Sequence, residues 1–148
     1  MSNEELGLKL RKIGEYLPCQ PADLEWALSV QALELISGNA KPLGEILVER
    51  ECIAREVLEE ALRHQRIDQL RRCSLLASLG PQELGYIAEQ SHQFSLLPGE
   101  TLFREGQKAG AVYVMLRGRL LLSHSVEGWE HPAGTVFPGD VLGEEEFL

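Results

Sequence analysis

Residues 98–144 carry the pattern that decides the fold, and they read PGETLFREGQKAGAVYVMLRGRLLLSHSVEGWEHPAGTVFPGDVLGE. In this stretch, short apolar runs alternate with glycine or proline–glycine pairs that recur roughly every ten residues. This alternation predicts short antiparallel strands joined by tight turns, as in a small barrel or roll. Glycine suits such turns because it adopts a positive φ without steric cost.

Five turn-containing segments follow one another in a particular order. They are Pro98-Gly99-Glu100, Phe103-Arg104-Glu105-Gly106, Tyr113-Val114-Met115 leading into Gly118-Arg119, Pro138-Gly139-Asp140, and Gly143-Glu144. Their order and spacing resemble the cyclic nucleotide-binding domain, which is the β-roll of CRP-like regulators, cyclic-nucleotide-dependent kinases and gated channels. The resemblance implies a ligand site at Gly143 and Glu144, where the carboxylate accepts a hydrogen bond from the ribose 2′-hydroxyl.

The same resemblance implies further elements that this stretch does not supply. A phosphate-binding arginine is expected beyond Leu148, and the strands before it are fewer than a complete roll needs. Glu145 and Glu146 stand where the family has small or apolar residues, which makes the local field less favourable for phosphate. We therefore expect an incomplete antiparallel β-roll of the jelly-roll type, with open strand edges.

The first half of the chain contains an internal repeat. Residues 11–17 align with residues 41–47, and residues 22–31 align with residues 56–65. Apolar residues recur at helical spacing in both copies, so each copy predicts two helices and the pair predicts a four-helix module. The first copy is shorter by about one helical turn.

The tandem motif resembles the N-terminal domain of type II secretion and type IV pilus extension ATPases, the MshE-type domain. Some members of that family bind cyclic di-GMP. The resemblance implies a cyclic di-GMP site made by Arg11, Gly14, Gln31, Lys41, Gly44 and Gln65. In such a site, the cations hold phosphates or guanine edges, the glycines let the backbone approach the bases, and the glutamines fix the hydrogen-bond pattern.

Two residues depart from that motif. Lys41 replaces the arginine of the second copy, and lysine lacks the planar fork that arginine offers to a phosphate or a guanine edge. Glu51 replaces the glycine that is expected after the first helix of the same copy. Both departures favour the alternative that the module has lost its ligand and only contacts other proteins.

The two patterns predict an α+β chain with two domains. Residues 1–66 form the helical tandem-repeat domain, and residues 67–148 form the cyclic-nucleotide-binding-like β-roll. Pro81 is expected to open the helix that precedes the first strand. No glycine- or serine-rich linker separates the domains, so we expect a continuous helical connection.

Composition limits the function further. The net charge is −9 and no basic patch is present, which disfavours nucleic-acid binding by these residues. No apolar run is long enough to insert into a membrane, and three widely spaced cysteines indicate reduced thiols in the cytoplasm. The four histidines show no metal-ligand spacing, and no catalytic constellation is visible, so we predict neither a metal site nor an enzyme.

We therefore predict a bacterial, cytoplasmic regulatory protein in which a helical second-messenger or partner-binding module acts on a cyclic-nucleotide-binding-like domain. Its candidate ligands are cyclic di-GMP and a cyclic nucleotide, and a protein partner or self-association is expected. Two alternatives stay open. One is a degenerate scaffold for protein contacts in secretion, pilus or motility machinery, and the other is the N-terminal part of a CRP-like transcription regulator.

Overall fold

The computed structural model describes residues 11–108 and 110–143, and over these residues the chain has the predicted α+β architecture. The α-helices are α1 (Pro21–Ile36), α2 (Leu43–Glu49), α3 (Arg55–Arg71) and α4 (Pro81–Gln90). The strands are β1 (Tyr113–Val114), β2 (Leu120–Val126), β3 (Trp129–Val136) and β4 (Val141–Leu142). The chain divides into two compact units, residues 1–67 and residues 68–148.

The core of the first unit is formed by residues of both repeat copies. Its buried members are Leu17, Ala27, Leu43, Ile46, Leu47, Ile53, Leu58 and Ala61. Burying a leucine side chain in such a core stabilises the fold by about 1.5–3 kcal/mol relative to leaving it exposed. The helical spacing of the second copy therefore predicted its packing correctly, except at Leu62, which is 39% exposed.

The first copy does not form the two helices that its pattern predicted. Its first piece is a single 3-10 turn, Ile13–Glu15, so the described part of the unit has three α-helices. Pro18 explains the difference, because a proline disfavours helical φ and ψ angles at the residue before it. The second piece does form a helix, α1, and Pro21 occupies its first position as expected.

Helices α1 and α2 end in the same hydrogen-bonded motif, although only α1 has a glycine there. After α1, the N–H of Gly38 donates to Leu35 and the N–H of Asn39 donates to Glu34, with Gly38 at φ 80°. After α2, the N–H of Glu51 donates to Val48 and that of Cys52 to Leu47. These bonds define a Schellman cap, which requires a left-handed residue just past the helix.

Glu51 therefore adopts φ 59°, a conformation that is costly for a residue with a Cβ. We expect Glu51→Gly to raise the free energy of unfolding by about 1 kcal/mol, because glycine adopts this conformation without steric strain. Urea unfolding of the full chain, followed by circular dichroism at 222 nm, measures the change. Glu51→Ala is the matched control, since alanine keeps the Cβ; an equal gain from alanine would contradict the explanation.

The second unit contains α4 and two separate two-stranded antiparallel sheets within the described residues. Strand β1 pairs with β4, and β2 pairs with β3 as a hairpin with an irregularity between Leu122 and Ser123. Leu84, Gly85 and Ala88 are the buried residues of α4. The apolar runs at 96–97 and 101–103 form no strand, so the described part of the roll has four strands.

Three turns of this unit are closed by one shared arrangement, in which a side chain accepts a hydrogen bond from the backbone N–H three residues earlier. The pairs are Glu100 with Leu97 at 2.7 Å, Gln107 with Arg104 at 3.2 Å, and Asp140 with Phe137 at 2.8 Å. At Gly139, a Cβ would also lie 3.1 Å from the carbonyl oxygen of Arg72. The glycine-containing segments of the sequence thus form turns that are fixed both by side-chain hydrogen bonds and by glycine.

Candidate functional site

The two glutamines of the repeat connect its copies to each other. Nε2 of Gln31, at the end of copy one, donates to the carbonyl oxygen of Lys41 at 3.0 Å. Nε2 of Gln65, at the end of copy two, donates to the carbonyl oxygen of Arg11 at 3.3 Å. Lys41 and Arg11 occupy equivalent repeat positions, so the two bonds are reciprocal. Each glutamine therefore holds the backbone that carries the candidate cation of the other copy.

The two motif glycines lie where a helix and a leucine approach closely. A Cβ on Gly44 would lie 2.3 Å from Cδ1 of Leu58, and a Cβ on Gly14 would lie 3.1 Å from Cδ1 of Leu24. Leu24 and Leu58 are also equivalent positions of the repeat. In both copies, the missing side chain thus makes room for a leucine of the same copy, which gives these glycines a packing role.

A cavity of about 420 Å³, widely open to solvent, adjoins Lys41 in this unit. Its lining residues are Trp26, Val30, Glu34, Lys41, Ile46, Glu49 and Arg50. Nζ of Lys41 donates a hydrogen bond to Oε2 of Glu49 at 2.5 Å, and this bond raises the pKa of the ammonium above its ordinary value. The lysine is therefore charged and paired, and an incoming anion would have to compete with Glu49.

Trp26 and Arg50 form the aromatic part of the same cavity. The guanidinium carbon of Arg50 lies 3.8 Å from the centroid of the Trp26 ring, a cation–π distance. No pattern in the sequence places Arg50 beside Trp26. The pairing depends on the end of α2 lying against α1, which local spacing does not reveal.

Arg11 has a more open environment than Lys41. Its Nε lies 3.8 Å from a carboxylate oxygen of Glu15, and its guanidinium carbon lies 5.9 Å from the centroid of the Tyr16 ring. The hydrogen bonds described above place Arg11 beside Gln65 and Lys41 beside Gln31. The predicted cyclic di-GMP residues therefore lie in two groups. That both groups bind the same ligand stays a prediction.

The other predicted site is described only in part. Gly143 follows β4 and has φ 84°, so it forms the turn that the family pattern expects. Glu144 lies outside the described residues. Just before this turn, β4 is held by pairing with β1, and the N–H of Met115 donates to the carbonyl of Asp140 at 3.0 Å.

The region that contains these turns also has a family match. Residues 93–148 match the cyclic nucleotide-binding domain. This match supports the resemblance found in the C-terminal half of the sequence, and it leaves the helical unit unassigned. No curated protein and no solved structure matches the chain. The MshE-type resemblance of the helical unit therefore stays a prediction.

Two further findings concern chemistry and membranes. Within residues 11–108 and 110–143, no group of three or more histidine, cysteine, aspartate or glutamate side chains is placed to hold a metal ion. No helix in these same ranges is long and apolar enough to cross a membrane.

The close approach at Gly44 gives a direct test of the packing role. We expect Gly44→Ala to lower the free energy of unfolding by about 1–3 kcal/mol, because the added methyl group overpacks against Leu58. Gly14→Ala is the matched comparison, and its loss should be smaller because its neighbour is farther away. Chemical denaturation of both variants measures the difference.

A double variant separates overpacking from other effects of alanine. In Gly44→Ala combined with Leu58→Ala, the new methyl group meets empty space, so the combined loss should be smaller than the sum of the single losses. Strict additivity would contradict the contact as the cause.

Proposed function

We propose that the chain is a non-enzymatic regulatory protein in which the helical unit receives a second messenger or a protein partner and acts on the C-terminal unit. The match of residues 93–148 to the cyclic nucleotide-binding domain is the observation that carries this proposal. Domains of this type are regulatory modules that change state with a bound ligand. Gly143 and Glu144 are the residues proposed to meet the ribose of such a ligand.

For the helical unit, the proposed ligand is cyclic di-GMP at the cavity beside Lys41. The volume of 420 Å³ falls within the range of about 300–1,000 Å³ that is usual for small-molecule pockets. The Trp26 ring and the Arg50 guanidinium supply planes on which a purine base can stack. Lys41 supplies the cation for a phosphate after its hydrogen bond to Glu49 is exchanged.

Calorimetric titration of the full chain with cyclic di-GMP tests this site. We expect Lys41→Ala to weaken binding about tenfold or more, because a charge-assisted hydrogen bond to phosphate is lost. Glu49→Gln should tighten binding by up to about fivefold, since an exposed ion pair of this kind is worth about 0.2–1 kcal/mol. Lys12→Ala, an exposed change beside Arg11, serves as the control.

The opposite responses of the Lys41 and Glu49 variants distinguish a phosphate contact from general loss of the fold. Equal weakening in both would show that the cavity merely needs an intact ion pair. If titration with cyclic di-GMP produces no binding heat with either the wild-type chain or Glu49→Gln, cyclic di-GMP is rejected as the ligand. Parallel titrations with cyclic AMP and cyclic GMP, with Glu144→Ala as the variant, test the C-terminal site separately.

A scaffold for protein contacts is the second candidate function. The observation that favours it is the last turn of α1, where Leu33, Leu35 and Ile36 are between 65% and 84% exposed. Exposed apolar side chains grouped in this way are typical of surfaces that bind other proteins. Together with the pairing of Lys41 to Glu49, they support a module that contacts a partner without a small ligand.

The proposed coupling of the two units has its own test. Helix α3 is continuous from Arg55 to Arg71, and the division between the units falls within it, after Ile67. We expect a short Gly-Ser insertion after Arg72 to leave cyclic di-GMP binding unchanged but to remove ligand-induced changes in hydrogen exchange at residues 93–143. If cyclic di-GMP still changes hydrogen exchange at these residues in the insertion variant, the helical connection does not transmit the effect of the ligand.

A further inference from the structure

The hairpin of β2 and β3 places two histidines directly opposite each other. His124 pairs with His131 in the strand register, and the centroids of their rings lie 5.7 Å apart with an angle of 25° between the planes. Both side chains are exposed, and neither ring makes a hydrogen bond or ion pair within the described residues. Within the described residues, this is the one place where two imidazole rings lie side by side, and their nitrogen atoms are available to bind a ligand.

The turn of the hairpin fixes this arrangement. The two loop residues, Glu127 and Gly128, have φ values of 52° and 84°. Two positive φ angles in a two-residue loop define a type I′ turn, whose twist matches that of the flanking strands. The turn sets the register in which Val126 faces Trp129 and, one pair farther along the same face, His124 faces His131.

Other residues of the hairpin make hydrogen bonds of their own. The Ser123 hydroxyl donates to the carboxylate of Glu130, and the N–H of Ser125 donates to Oε2 of Glu105 at 3.1 Å. Ser123 and Glu130 alternate with the two histidines along their strands, so they point to the other side. These bonds hold the ladder in place and leave both imidazoles unused.

We propose that His124 and His131 form a two-imidazole binding site for a divalent transition-metal ion of the Ni²⁺, Zn²⁺ and Cu²⁺ class. Neutral imidazole is the commonest metal ligand among side chains and suits these three ions. Directly opposed residues have Cβ atoms about 4.5–5.5 Å apart, so rotation of the exposed side chains brings two ring nitrogens to one ion. Water or another molecule completes the coordination, since no described carboxylate makes this pair a group of three.

Titration of the full chain with Ni²⁺, followed by calorimetry, tests the proposal. Ni²⁺ is the chosen probe because it prefers imidazole, whereas the free thiols of Cys19, Cys52 and Cys73 favour Zn²⁺ and Cu⁺. We expect one ion per chain. His124→Gln and His131→Gln should each weaken binding about tenfold or more, because chelation by two tethered ligands becomes binding by one.

The other two histidines supply matched controls. His64 lies 3.0 Å from a carboxylate oxygen of Glu60 on α3, and His92 lies outside any helix or strand. His64→Gln and His92→Gln should leave binding unchanged. Binding that persists in the double variant of His124 and His131, that depends on only one of them, or that disappears in a control variant overturns the proposal, as does a wild-type chain that binds no Ni²⁺.

Trp129 gives an independent readout of where the ion binds. It is 76% exposed and lies on the face of β3 that carries His131, two residues away. A paramagnetic ion held by the two histidines should quench its fluorescence with a saturation point at one equivalent. Trp129→Phe should remove the quenching that saturates at one equivalent; if it does not, the ion is not held beside Trp129 and the proposal is overturned.

Discussion

The packing of Leu58 against the α-carbon of Gly44 is the constraint on which the helical unit depends. A Cβ at this position would lie 2.3 Å from the leucine, so α2 and α3 can approach as they do only because residue 44 lacks a side chain. The equivalent pair, Gly14 and Leu24, repeats the contact less tightly in copy one. Around these two contacts, the reciprocal hydrogen bonds of Gln31 and Gln65 tie each copy to the other.

This arrangement explains why the motif residues fall into different roles. The glycines and glutamines position the backbone, whereas Lys41 and Arg11 direct their charged groups outward from the backbone segments that the glutamines hold. A motif that resembles a ligand site can therefore persist for reasons of packing alone. The residues that decide between the two uses are those lining the cavity, above all Glu49 and Arg50.

Much of the fold follows from local patterns in the sequence. Proline 21 marks the start of α1, the spacing of Leu43, Ile46 and Leu47 identifies α2, and the punctuating glycines of the C-terminal half form turns with positive φ. The first helix of copy one was predicted wrongly, because Pro18 limits it to a 3-10 turn. The alternating pattern also predicted a strand at the apolar run 101–103, and this run forms none, because so short a run acquires strand structure only when a partner strand pairs with it.

The candidate sites were less predictable than the fold, for a physical reason. Arg50 meets Trp26 and His124 meets His131 through contacts that join distant or reversed segments of the chain. The spacing of the two histidines gives no metal pattern when it is examined along the sequence. Their meeting depends on the two-residue turn at Glu127 and Gly128, since a change of one residue in register would place them on opposite faces.

The position of the unit boundary inside α3 determines how this chain can be dissected. Expression of the two units as separate fragments cut after Ile67 would divide a helix of 17 residues and leave its freed carbonyl and N–H groups without their partners in the helix. The cut would also separate Ile67 from Leu70, two buried residues of one continuous helix. If each fragment instead contains the whole of α3, the backbone hydrogen bonds of this helix are preserved in both fragments.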